Sequence, residues 1–278
     1  MTAKINPQRY LEFGGVAPAR SLDGRGALAY LQSKGFGENY LEQSRVALGQ
    51  RTGEEFIFEP ATKNYCDFCA KPLMGGEFDR LQDGRERCIT CSRTAVTTHE
   101  EFVSLYQEVR RNLEIVFEIQ FNVGITVRME NAKAIARHTN EKFEPTPGFD
   151  ARVLGFASQS PSGYDLHIEN GSPKLPSIQT MAHELTHIWQ YRTWDQTSIH
   201  AKYGAENHLF IYEGMASWAM VQYLYCTKET EFADREAAQT RARTDEYGVG
   251  FRMFEERYPL RINGSVLRDT PFKHVLPL

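Results

Sequence analysis

The sequence predicts an α+β protein, with a small four-cysteine module ahead of a larger domain built from one small antiparallel sheet and several helices. Three observations predict it. Two C-x-x-C pairs, Cys66 with Cys69 and Cys88 with Cys91, sit in a turn-rich stretch. Apolar and polar residues alternate at Ile125, Val127 and Met129, and again at Tyr164, Leu166 and Ile168, which is the period of a half-buried strand. Apolar residues recur at three and four from Phe102 to Leu113 and from Ile178 to Trp189, which is the period of an amphipathic helix.

The elements follow in order. Residues 1 to 60 hold short amphipathic pieces at 27–32 and 40–48, broken by glycines, and suggest a segment that packs on the rest or meets a partner. Residues 61 to 95 carry the cysteines, with Pro72, Gly75, Gly76, Asp83 and Gly84 between the pairs. Residues 96 to 278 form the larger domain. Its first helix runs from about Glu100 toward Phe121, and Gly124 breaks it. A strand at 125–129 and a helix at 131–138 capped by Asn131 come next. The stretch 139–150 contains Pro145, Pro147 and Gly148 and reads as a loop. Strands at 152–158 and 164–169 join at Pro161-Ser162-Gly163, and the face with Asp165, His167 and Glu169 is expected in solvent. A strong helix covers about 178–192 and a second, apolar nearly all round, about 206–225. A more polar helix follows Glu229, and Cys226 reads as a small buried hydrophobe.

Composition narrows the function. The 278 residues carry 32 Lys plus Arg against 36 Asp plus Glu, a formal charge of −4. That balance gives no electrostatic reason to expect nucleic acid as a partner. An apolar fraction of 41% excludes long disorder. No apolar run approaches the ~20 residues that span a bilayer. The opening MTAKINPQRY lacks the apolar stretch of a signal peptide. A cytoplasmic protein without a membrane partner is expected.

In that setting, two C-x-x-C pairs separated by 18 residues read as a structural zinc site rather than as disulfides. Each pair puts two thiolates on one knuckle, and two knuckles complete a tetrahedron. Arg85, Arg87 and Arg93 lie in the module, but Asp67, Glu77, Asp79, Asp83 and Glu86 offset them, which argues against a nucleic-acid finger.

The helix at 178–192 contains His183-Glu184-Leu185-Thr186-His187. Positions i and i+4 lie about 40° apart around a helix and ~6 Å apart along it, so both imidazoles can bind one ion. Glu184 falls about 100° away, beside the ion, where it can take a proton from a metal-activated water. A catalytic zinc needs a third protein ligand and an open position. Glu213 follows His187 by 26 residues in the apolar run Phe210-Ile211-Tyr212-Glu213-Gly214-Met215-Ala216. A carboxylate there is expensive unless paired or metal-bound. Gly214 and Ala216 suggest a close approach to the His-bearing helix. Glu206, two turns earlier on the same face, is the alternative ligand, with His200 and His208 behind it. Thr180, Trp194, Asp195 and Asn207 are candidates to support the histidines. Tyr223, Tyr247 and His274 are candidates to stabilise an oxyanion.

H-E-x-x-H with a downstream Glu on a second helix resembles the gluzincin class of zinc metallopeptidases. Taken with the four-cysteine module, the helix and strands that follow it and Leu175-Pro-Ser-Ile-Gln-Thr-Met-Ala-His-Glu-Leu-Thr-His-Ile-Trp, the chain also resembles the DA-one-like family of LIM-linked peptidases. Ala182, Trp189 and Glu213-Gly214 match that family's pattern, and the likeness spans about residues 61 to 226. It implies a zincin-like fold and a zinc metalloendopeptidase. It also implies His183, His187 and Glu213 on a catalytic zinc, Glu184 as acid/base, and Cys66, Cys69, Cys88 and Cys91 on a structural zinc. The chain has half the ligand set of a complete LIM domain and no evident ubiquitin-interacting helix in residues 1 to 60. The expected partners are a protein or peptide substrate and a protein bound through the cysteine module or residues 1 to 60. The alternative is an adaptor whose cysteine module binds protein and whose peptidase-like part is an inactive scaffold.

Overall fold

The computed structural model describes residues 66, 68, 73, 78–82, 84–138, 154–204, 207–262, 267, 269–275 and 277–278. The amphipathic pieces at 27–32 and 40–48, the loop at 139–150, Cys69 and Glu206 lie outside the described residues. The fold is α+β with small sheets. No helix among the described residues is long and apolar enough to cross a membrane. The chain divides into two compact units: one comprises residues up to Ala95 with Asn131–Val153 and Gly171–Pro173, and the other the remainder.

In the first unit, β1 (Phe78–Arg80) pairs antiparallel with β2 (Glu86–Cys88). The turn between them closes through Leu81 N–H to Arg85 O at 2.8 Å, with Gly84 in the left-handed region. The short helix α1 (Ile89–Arg93) follows directly. Arg87 is buried and donates to Gly171 O at 2.8 Å and to Asp79 at 2.9 Å, and Arg85 is wholly buried. These two arginines serve the interior of the unit and form no basic stripe on its surface. In sequence, a helix and a strand of the other unit separate α1 from the helix Ala132–His138, which belongs to this unit.

The second unit opens with α2 (His99–Phe117), held at its start by a reciprocal Thr98–Glu101 capping box. Its buried stripe is Phe102, Leu105, Tyr106, Val109, Leu113 and Phe117, the residues that the helical period marks. Each fully buried Leu or Phe contributes about 1.5–3 kcal/mol. The helix stops at Phe117 rather than near Phe121 because Glu118 adopts a left-handed conformation. Strand β3 (Ile125–Glu130) follows, and α3 (Ala132–His138) of the first unit is capped by Asn131, whose Oδ1 accepts from Ala134 N at 2.9 Å.

The sheet corrects the expected one. Strands β4 (Gly155–Ser160) and β5 (Gly163–Glu169) form the antiparallel hairpin, but β3 pairs with β5 in parallel, so the order is β3-β5-β4 and the sheet is mixed. Residues 131–162, β4 among them, supply the long connection that a parallel pair requires. A Cβ at Gly163 would run into the Gly124 carbonyl, and Tyr164 N–H bonds that same carbonyl at 3.0 Å. These two glycines let β5 start against the beginning of β3.

Being central, β5 is covered on both faces. Tyr164, Leu166 and Ile168 are buried as the alternation predicts. The opposite face is not solvated as expected, for His167 and Glu169 are buried too. His167 Nδ1 lies 2.9 Å from Glu130 Oε1, and its ring stacks on Phe156 at 4.3 Å. A polar residue on a central strand is thus buried with a partner rather than exposed.

Five helices complete the unit: α4 (Lys174–Thr193), α5 (Gln196–Tyr203), α6 (His208–Cys226), α7 (Thr230–Ala242) and α8 (Glu246–Arg257). Pro176 falls in the first turn of α4, where no intrahelical N–H is needed, so this helix begins earlier than Ile178. Helix α6 is buried nearly all round. Cys226 at its end is half-buried and accepts from Gln222 at 3.3 Å. Asp195 caps α5 and Asp245 caps α8, two helices that the sequence reading does not separate.

Gly214 does not face the His-bearing helix, contrary to expectation. A Cβ on Gly214 would collide with the backbone of Gly250, and one on Gly250 with Phe210 O. Helices α6 and α8 therefore cross with their backbones in contact.

Candidate metal centre

Helix α4 presents a partly exposed His183 and a buried His187 one turn apart, and α6 presents Glu213 opposite them. His183 Nε2 lies 3.1 Å from Glu213 Oε2 and 3.1 Å from His187 Nε2. His187 Nε2 lies 3.3 Å from the same carboxylate oxygen. The two rings are nearly perpendicular, at 80°. The three residues form a group that can hold a metal ion.

The supporting hydrogen bonds set the tautomer. Gln190 Nε2 donates to the Tyr212 carbonyl of α6 at 2.9 Å, which turns its Oε1 toward His187 Nδ1 at 2.8 Å. His187 Nδ1 then carries a proton, and Nε2 is the atom that faces His183 and Glu213, where its lone pair serves an ion once the proton there leaves. Converging lone pairs are stable around a cation. Donor atoms on a tetrahedron at ~2.05 Å from zinc stand ~3.3 Å apart, close to the spacings found. The donor set and its spacing fit such an ion.

Electrostatics agree with the geometry. Burial would raise the Glu213 carboxyl, but His187 and His183 hold it well below the ordinary carboxylate range. Burial opposes charge on His187, yet Glu213 raises it to about 9. Burial lowers His183, with Glu213 acting against it. Burial pushes Glu184 up to about 8, with the charge of His187 acting against it and that of Glu213 adding to it. Glu184 sits beside β4, whose Ala157 backbone hydrogen-bonds it.

Two tyrosines flank the centre. The Tyr247 ring lies 5.8 Å from that of His183, inclined by 24°, and the Arg243 guanidinium sits over the Tyr247 ring at 4.1 Å from its centroid, gripped by Asp245. Burial, then Glu213 and Glu184, raise the Tyr247 hydroxyl well above its ordinary value. Tyr191 stacks on His187 at 6.0 Å and is exposed.

The remaining candidates go elsewhere. His200 and His208 meet edge-to-face at 4.6 Å and are not in the ligand group. Thr180 bonds Pro176 O, and Asp195 caps α5. Neither Trp194 nor Asn207 is the partner that holds His187, a place taken by Gln190. Tyr223 meets Asn112, and His274 meets Asp269, so of the three oxyanion candidates Tyr247 is the one in ring contact with a histidine of the site. Gln190 was missed, although its position three residues after His187 puts it on a neighbouring part of the same helix.

A second group lies in the first unit. Cys66, Cys88 and Cys91 bring their sulfurs within 4.8 Å of one another. The Cys88 N–H points to Cys66 Sγ at 3.3 Å and the Cys91 N–H to Cys88 Sγ at 3.5 Å. Such N–H···S contacts suit thiolates sharing a cation. Cys69 lies outside the described residues.

The chain matches no protein-family model, no curated protein and no solved structure.

Proposed function

We propose that this chain is a zinc-dependent metallopeptidase of gluzincin type that hydrolyses peptide bonds in protein substrates. The observation that carries the reading is the convergence of two imidazole nitrogens and one carboxylate oxygen at 3.1–3.3 Å. His183, His187 and Glu213 would hold the ion. A zinc ion with three protein ligands and an open position supplies Lewis acidity toward water and toward a carbonyl.

The chain's own residues do the rest. Glu184 accepts the proton of the attacking water and returns it to the leaving amine. Tyr247, half-buried with its hydroxyl kept protonated, is the donor for the oxyanion. Gln190 fixes the ring of His187 through the backbone of the helix that bears Glu213. The edge of β4 offers backbone groups to an extended substrate. Cys66, Cys88 and Cys91, with Cys69, would bind a second, structural zinc.

The test is metal dependence. The purified full-length chain is expected to contain two zinc ions by elemental analysis and to cleave an unfolded protein substrate. A chelator should stop cleavage, and added zinc should restore it. Cleavage that continues after complete zinc removal would exclude the reading. A finer expectation concerns Gln190→Leu, which removes the partner of His187 Nδ1. It should weaken zinc affinity by about 10–100-fold, measured by competition with a chromogenic chelator. An unchanged affinity would assign Gln190 to packing alone.

A further inference from the structure

The face of α4 that bears the metal centre continues beyond it. Gln179, Thr180, His183 and Glu184 are its partly exposed positions. Gln179 precedes His183 by four residues, so it stands about 6 Å up the helix on the same stripe. Its Nε2 donates to Oε2 of Glu236 on α7 at 2.7 Å. The Glu236 side chain is 13% exposed, and Arg235 approaches its other oxygen only to 3.6 Å. That arginine is itself 58% exposed and lies over the Phe232 ring. Burial raises the Glu236 carboxyl above its ordinary value despite Arg235. A mostly buried carboxylate with one neutral donor and one peripheral cation gains from a further cation.

The neighbouring strand supplies a direction. Glu169 N donates to Leu154 O at 2.9 Å, so with the antiparallel register Gly155, Ala157 and Gln159 turn their backbone groups to the edge. A Cβ on Gly155 would press on Thr180 Cγ2 at 2.7 Å, while Ala157 meets Glu184. Two residues of β4 thus span four of α4, each about 6–7 Å, and the strand and helix run the same way. A substrate paired antiparallel to β4 runs against both. Its residues after the scissile bond then lie toward Gln179 and Glu236.

Resting on the peptidase reading, we propose that Glu236, positioned by Gln179, is a specificity subsite that takes a Lys or Arg side chain of the substrate within about two residues C-terminal to the scissile bond.

The test uses the zinc-loaded full-length chain and pairs of short peptides that differ only in Lys against norleucine at one position. Binding is read on the Glu184→Gln variant, so it does not depend on turnover, and cleavage is read on the unaltered chain. The Lys peptide should bind about 10-fold tighter than its norleucine twin. Cleavage should show the same preference on the C-terminal side of the cut. In chains also carrying Glu236→Gln the ratio should fall to near one, and Glu236→Lys should favour a Glu peptide over its Gln twin. A ratio near one before any change at Glu236 would overturn the subsite. So would a ratio unaffected by Glu236→Gln, or a Lys preference confined to the N-terminal side of the cut. Preferential binding without any cleavage would support the subsite and remove the peptidase reading. Cleavage without preference would do the reverse.

Discussion

Glu184→Gln is expected to lower kcat by about 10²–10⁴-fold with zinc content and folding intact. Glu184 follows His183 directly on α4, so it lies about 100° round the helix, alongside the metal ligands rather than among them. Burial raises its carboxyl, with the charge of His187 acting against it and that of Glu213 adding to it, and a carboxylate beside the ion is the group to take and return a proton. Glutamine keeps the shape and can still accept from the Ala157 backbone, but it cannot take a proton. Zinc per chain, a thermal melt and the rate of peptide cleavage, measured on the same preparation, separate lost chemistry from lost structure. An unchanged rate would remove Glu184 from the mechanism.

Glu213→Ala should have the second large effect. It removes the carboxylate that lies 3.1 Å from His183 and 3.3 Å from His187. The affinity of the centre for zinc is expected to fall by more than the 10–100-fold that loss of a supporting hydrogen bond costs. Zinc should drop from two ions per chain toward one, the ion at the cysteine group remaining, and cleavage should cease. Two firmly held ions in this variant would pass the third ligand to another residue, with Glu206 the first to examine.

The residues of the metal centre were legible because local rules govern them. The i, i+4 spacing puts His183 and His187 on one helical face wherever that helix lies. Glu213 stood out as a carboxylate in an apolar run, and a charge placed there asks for a partner. The parallel pairing of β3 with β5 was not legible, because it depends on a connection of more than twenty residues and leaves no mark in the alternation of either strand. The burial of His167 and Glu169 followed the same route: alternation distinguishes two faces but cannot tell a covered polar face from a wet one. Nothing local marks Gln190 above Thr180, Trp194, Asp195 or Asn207, because its role depends on where the Tyr212 carbonyl of α6 comes to lie. An amide that accepts with one end and donates with the other can tie a ligand on one helix to the backbone of the next. The sequence suggests that Gly214 makes room for α4, whereas the rotation of α6 in its surroundings decides that it meets α8.

That bare crossing of α6 and α8 has a mechanical meaning. The acid of Glu213 is the immediate neighbour of Gly214, and the phenol of Tyr247 stands less than one turn before Gly250. Both groups therefore hang from a single fulcrum. A methyl grafted at either glycine would act as a wedge, prying the two levers apart at once. Neither could be retuned alone.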